Sequence, residues 1–197
     1  MEDADAWLVY PEHRYLYNKL ELSMRLGYDC GPGGVPPTRT DYYCVRPIYN
    51  LLGMGVGARR QLIEAGDHSG VEPGYFWCEW FSGNQYSVTV SDGCQMAYRA
   101  ERDIANLSRF KSWSRVDRVF EIPDWLPNIP LNIEFIEDRI IEVHLRTSPD
   151  PNYDELIPVW LGEPTSRPGY QFIESYDSAL DYLNTPRIGF LVKNREF

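Results

Sequence analysis

The sequence predicts an α+β fold of antiparallel strand pairs and a few helices, in one unit of 1–197 with no clear linker. Three observations carry that expectation. Leu16, Leu20 and Met24 recur at helical spacing within EHRYLYNKLELSMRL. NQYSVTVSDG alternates and closes on Asp92-Gly93, a favoured hairpin turn. NIEFIEDRIIEVHLR, residues 132–146, reads as two short strands around a tight turn. The 197 residues are 43% hydrophobic and 14% aromatic, which supports a buried core and argues against disorder.

Taken in order, residues 12–26 predict one helix that buries its leucine stripe and stops at Gly27. DCGPGGVPPT is a loop, because glycine and proline dominate it. DYYCVRPIYNLL is rich in aromatic and β-branched residues and predicts a strand that runs into GMGVG, residues 53–57. ARRQLIEAG predicts a short helix or turn, and GYFWCEWF a strand. CQMAYRAERD returns as the partner of the strand before Asp92. The basic stretch 101–120 (Arg102, Arg109, Lys111, Arg115, Arg118) predicts a loop or helix. EIPDWLPNIP connects to the hairpin, and TSPDPNYDELIPVWLGEPTSRPGY reads as mostly loop and turns. ESYDSALDYL predicts a short helix and RIGFLVK a closing strand.

The net charge of −10 and the pI near 4.8 disfavour a nucleic-acid partner, since an acidic chain repels phosphate backbones. No apolar run is long enough to span a membrane, and the acidic start MEDADAWLVYPEHRY lacks a basic leader pattern. Cys30, Cys44, Cys78 and Cys94 form no C-x-x-C pair and are expected as four separate, mostly buried thiols in a reducing cytoplasm.

Side chains alternate along a strand, so Glu142, His144 and Arg146 share one face and Ile141, Val143 and Leu145 the other. A two-residue loop would set Glu134 opposite Ile141. A three-residue loop over Glu137–Arg139 sets Glu134 opposite Glu142 and Phe135 opposite Ile141, which makes the apolar face continuous. Two glutamates facing each other call for a positive charge between them. A divalent metal with oxygen ligands meets that need; a solvated charged face is the other reading.

YCVRPIYNLLGMGVGA places Arg46 on a strand shortly before a glycine loop. Glycines let backbone N–H groups approach a phosphate, and an arginine fork reaches the same anion. A plain glycine turn without a ligand remains open. The stretch also fits G-x-G-x-x-A, but Arg46 and Pro47 suit a buried parallel strand poorly, and no P-loop motif is present.

Taken together and in this order, YNKLELSMRLGYDCGPGGVP, YCVRPIYNLLGMGVG, FWCEWFSGNQYSVTVSDGCQMAYRAERD and NIEFIEDRIIEVHLR resemble the segments of the ATP-grasp family, over about residues 15–150. The resemblance implies two small subdomains with antiparallel sheets that grip a nucleotide. It sets a glycine-loop lobe at about 38–80, a metal-binding lobe at 81–150 and a C-terminal extension at 151–197. It assigns ATP contacts to Lys19, Arg46, Gly53, Gly55, Gly57 and Glu79, and the metal to Glu134, Glu142 and His144. Arg146 becomes the catalytic residue that stabilises the transferring phosphoryl group. Two positions depart from the family pattern: Arg46 stands where a lysine is expected, and His144 where an asparagine is usual.

The activity implied is ligation of a small-molecule carboxylate to an amine through an acyl phosphate, with ATP and Mg²⁺, Mn²⁺ being the alternative ion that a histidine ligand would favour. The usual N-terminal substrate domain has no room before residue 12. A nucleotide-binding module with a degenerate catalytic site and a structural or assembly protein are the alternatives. The oligomeric state, a homo-oligomer included, stays open.

Overall fold

The computed structural model describes residues 1–49, 55–102, 109–176 and 186–193. Among these the chain is mostly strand. Its helices are confined to the N-terminal part: α1 (Asp3–Val9), a 3₁₀ segment (Pro11–Tyr17) and α2 (Lys19–Arg25). The helix expected over 12–26 is therefore two elements. Asn18 breaks it with an extended backbone and caps α2, its side chain accepting from the Glu21 N–H at 3.0 Å. The tighter 3₁₀ turn resets the helical phase. Leu16 and Leu22 are buried as a result, while Met24 of the expected stripe is 64% exposed. Gly27 ends α2 at φ +75°, a conformation that suits glycine.

Strands β1 (Cys30–Pro32), β2 (Asp41–Pro47), β3 (Arg59–Ile63) and β4 (Tyr75–Glu79) form a four-stranded antiparallel sheet in the order β1-β4-β2-β3. Two expectations change here. The glycine-proline loop contributes a short edge strand, and ARRQLIEAG is a strand rather than a helix, because it pairs along β2 from Val45–Arg59 to Asp41–Ile63. Tyr43, Val45, Ile63, Val71 and Trp77 pack a small core on one face of this sheet.

The second sheet is eight-stranded: β5 (Gln85–Ser91), β6 (Cys94–Arg102), β7 (Phe110–Val116), β8 (Leu131–Ile136), β9 (Arg139–His144), β10 (Glu155–Trp160), β11 (Gln171–Glu174) and β12 (Arg187–Lys193). Its order is β11-β12-β10-β7-β6-β5-β8-β9, all antiparallel. Asp92 and Gly93 make the expected turn with positive φ at both residues. Within the basic stretch Phe110–Val116 form strand β7, residues 103–108 lying outside the described ones, and the segment read as turns supplies β10. β10–β12 extend the same sheet beyond residue 150. The predicted helix over ESYDSALDYL falls mostly on residues outside the described ones, and its first residue, Glu174, ends β11.

Leu131, Ile133, Phe135, Ile140 and Val143 turn one face of the hairpin end into the main core, against Ala6, Leu16, Tyr17 and Leu22 of the N-terminal segment. Alternation then forces Asn132, Glu134, Glu142 and His144 onto the opposite face. That face, with Cys44, Arg46 and Cys78 from the smaller sheet, lines one cleft.

Three of the four cysteines are not separate. Cys30 pairs with Cys78, and Cys78 with Cys44, across three adjacent strands. All four thiols are free, and Cys94 is exposed. No helix among the described residues is long and apolar enough to cross a membrane.

Candidate functional site

The hairpin β8-β9 turns at Glu137-Asp138, with Ile136 opposite Arg139 and Phe135 opposite Ile140. This is the short loop, not the three-residue loop anticipated. A register shift between Glu134 and Phe135 leaves Ile141 unpaired and still brings Glu134 opposite Glu142. The bulge thus restores the carboxylate pair that the turn alone would have lost. It also frees the Ile141 carbonyl, which accepts from Arg46 Nη2 at 2.9 Å.

Glu142 is buried and charged. Lys19 Nζ lies 2.7 Å from its Oε1, and His144 Nε2 lies 3.6 Å from the same oxygen. Burial alone would raise the Glu142 carboxyl, but Lys19 and His144 outweigh it and hold it below the usual range. Glu134 goes the other way. Burial raises it, and the charge of Glu142 across the ladder raises it further. Glu134 Oε2 accepts from Gln85 Nε2 at 2.8 Å, and Gln85 Oε1 in turn accepts from Arg102.

A second cluster sits beside the first. Asp3, carried in by α1, is 3% exposed and receives Arg146 Nη2 at 2.7 Å, His144 Nδ1 at 3.0 Å and the Tyr17 hydroxyl at 3.2 Å. Burial would raise its carboxyl, yet His144 and Arg146 hold it at about 2. His144 is itself disfavoured as a cation by burial, but Glu142 and Asp3 raise its pKa. His144 thus hydrogen-bonds Asp3 through Nδ1 and faces the Glu142 carboxylate with Nε2, an ion-pairing environment.

The expected nucleotide contacts are brought together in part. Lys19, Arg46, Gly55 and Glu79 all line the cleft with Glu134, Glu142, His144 and Arg146. Arg46 stacks on Phe76, 5.2 Å from the ring centroid. Glu79 Oε1 accepts from the Asp29 N–H at 3.2 Å, which ties it to the chain before β1. Gly55 and Gly57 have φ of +61° and +76°. Gly57 packs where an added Cβ would stand 3.0 Å from the Tyr75 hydroxyl and 3.1 Å from Pro47, a structural demand for glycine. Gly53 lies outside the described residues.

Sequence reading missed Asp3, Gln85 and Arg102. Asp3 belongs to a helix that the hydrophobic pattern does not announce, and Arg102 was grouped with a basic surface stretch. It also missed Trp80, Phe110 and Trp113, which add apolar lining to the cleft. Arg46, Arg102 and Arg146 each keep a buried Nε with no hydrogen-bond partner. A buried unpaired N–H on a charged group is costly, and all three arginines line the cleft.

A divalent cation can be tested against this donor set. Among the described residues no group of three or more His, Cys, Asp and Glu side chains is placed to hold one. Mg²⁺ does not need such a cage. It takes one or two carboxylates and completes its octahedron with phosphate oxygens and water. Glu134 and Glu142 fit that requirement, because they are oxygen donors whose mutual repulsion a cation would relieve.

No family model matches the chain, and no curated protein matches it. Among solved structures it is similar to a protein from Archaeoglobus fulgidus provisionally described as belonging to the ATP-grasp superfamily. The sequence identity is 12% and the TM-score 0.49, over 91% of this chain. The chain spans 64% of that protein's length.

Proposed function

We propose that the cleft binds Mg-ATP and that the protein is an ATP-grasp-type ligase joining a small-molecule carboxylate to an amine. One observation carries this reading: Glu134 and Glu142 face each other in a cleft that also collects Lys19, Arg46, Arg102 and Arg146. The chain as a whole is strongly acidic, yet Lys19, Arg46, Arg102 and Arg146 gather in the cleft that holds this carboxylate pair, which suits a polyanion.

In this reading a substrate carboxylate oxygen attacks the γ-phosphorus of ATP and ADP leaves. The amine then attacks the acyl carbon, phosphate departs, and the amine proton passes to solvent. Such transfer needs positioning and positive charge rather than covalent help from the protein. Arg146 and Arg46 carry fixed charge to the phosphoryl oxygens, and Lys19 adds a point charge. A divalent cation on Glu134 and Glu142 would neutralise the β- and γ-phosphates. With a cation on Glu142, Lys19 would be released from its ion pair to meet the nucleotide. Asp3 orients Arg146 and His144 from behind. Trp80 and the apolar lining offer a wall for the base.

The Lys19–Glu142 ion pair favours a second reading from another class, a nucleotide-binding module that does not turn over. Its carboxylate is already neutralised by the chain itself. ADP release in the presence of candidate carboxylates and amines separates the two. Turnover that Glu142→Gln abolishes in a folded protein supports the ligase. Binding of ATP without consumption supports the module.

A further inference from the structure

We infer that Cys30 and Cys78 form an oxidisable dithiol at the cleft wall, a disulfide-forming site independent of the nucleotide reading. The argument starts from register. Cys30 pairs with Cys78 and Cys44 pairs with the same Cys78, so three thiols lie side by side across β1, β4 and β2. Residues directly opposite on neighbouring strands share a face, and Cys44 and Cys78 both line the cleft. Cys30 therefore points to the same side.

The two neighbouring pairs are not equivalent. The Glu79 N–H donates to the Asp29 carbonyl at 2.8 Å, and the Gly33 N–H to the Tyr75 carbonyl at 2.9 Å. Alternation from both ends makes Cys30 and Cys78 a pair without mutual hydrogen bonds. The same alternation across β4 makes Cys44 and Cys78 a hydrogen-bonded pair, in line with the Ile48 N–H donating to the Gly74 carbonyl at 2.9 Å. Pro32 and Pro47, which have no N–H, both occupy positions that need none. Pairs without hydrogen bonds bring Cα atoms to about 4.5 Å, against about 5.5 Å for the others. Both spacings fall within the roughly 4.4–6.8 Å Cα range of natural disulfides, and it is the pair without hydrogen bonds that brings its side chains closer together. Cys30–Cys78 is thus the pair set for bonding, and Cys44 is the spectator.

The chemistry needs only a small disulfide such as oxidised glutathione. The Cys30 thiolate, on the edge strand and only half-buried, attacks one sulfur and expels a thiolate. Cys78, on losing its proton to solvent, displaces the second thiolate from the mixed disulfide. Two protein thiols are oxidised to one disulfide, and the reagent is reduced to two thiols. Burial pushes the Cys30 thiol up to about 11 and the Cys78 thiol to about 12, with nearby Arg46 offsetting part of the effect. The bond therefore forms slowly near neutrality and faster at higher pH. Once made, it fastens edge strand β1 to β4 at the step before Glu79.

The test exposes the full chain carrying Cys94→Ser, which removes the exposed thiol, to oxidised glutathione, and maps the peptides without reduction. The expected result is a product lighter by two thiol hydrogens, a Cys30–Cys78 cross-linked peptide and Cys44 still free. Its rate should climb about tenfold per pH unit as the thiolate fraction grows. The cross-link should raise Tm by on the order of 5 °C. Adding Cys44→Ser should change neither peptide nor rate, whereas adding Cys30→Ser should leave no cross-link. A Cys44–Cys78 product, a mixed disulfide that stays on Cys30, or thiols inert up to about pH 9 would each overturn the assignment. The map of the Cys94→Ser protein decides the matter even where a buried cysteine variant does not fold.

Discussion

Lys19 Nζ stands 2.7 Å from Glu142 Oε1, both side chains almost fully out of solvent. The lysine opens α2, and the glutamate sits on β9, more than a hundred residues later. This contact ties the N-terminal helices to the hairpin and sets the charge of the carboxylate pair.

The pair predicts strong coupling. Lys19→Met leaves Glu142 buried without its main partner and should cost about 3–5 kcal/mol. Adding Glu142→Gln should recover a large part of that loss, because the orphaned charge disappears. Urea unfolding of the two single variants and the double variant measures it. Additive losses would show that the contact does not hold the site together.

Asp3 predicts the acid limb of the stability curve. Its folded pKa is depressed from 3.8 to about 2, so its stabilisation is present above about pH 4 and is lost as the pH falls through about 2. The shift corresponds to about 2 kcal/mol. In Asp3→Asn the fall in stability between about pH 4 and pH 2 should be smaller by that amount, as read by unfolding at a series of pH values.

Much of this site was legible in the hairpin and little of it elsewhere. Alternation alone placed Glu142, His144 and Arg146 on one face, and the continuity of the apolar face put Glu134 opposite Glu142. The route was misread, because a bulge at Ile141 has no sequence signature comparable to a turn residue. The strand at ARRQLIEAG was missed since its pattern is short and its partner β2 lies across the glycine loop. Asp3 was invisible for a different reason. Its importance comes from a contact with Arg146, 143 residues away, and no local pattern encodes that. The thiol row was hidden likewise, because pairing register rather than sequence spacing brings cysteines together.

Arg102 predicts a loss confined to ligand binding. Its guanidinium reaches Gln85, which holds Glu134, and its Nε is unpaired. Arg102→Lys keeps the charge but loses the fork. Mg-ATP affinity should weaken about tenfold, the value of one charge-assisted hydrogen bond, with unfolding shifted far less. An unchanged affinity would remove Arg102 from the anion site.

The metal ligands can be told apart by titration. Glu134→Gln should abolish the dependence of ATP affinity on Mg²⁺, since it removes a carboxylate donor. His144→Gln should keep that dependence while weakening overall binding, because His144 hydrogen-bonds Asp3 and faces Glu142. Chelation by EDTA of the wild type should reproduce the Glu134→Gln result.

The most direct test of the central claim is calorimetric titration of ATP, with and without Mg²⁺, into the wild-type protein and into Glu142→Gln. The account predicts binding by the wild type that depends on Mg²⁺ and is lost in a variant that remains folded. Absence of ATP binding by the wild type under either condition would contradict it and leave Glu134 and Glu142 as an internal charge cluster of the fold.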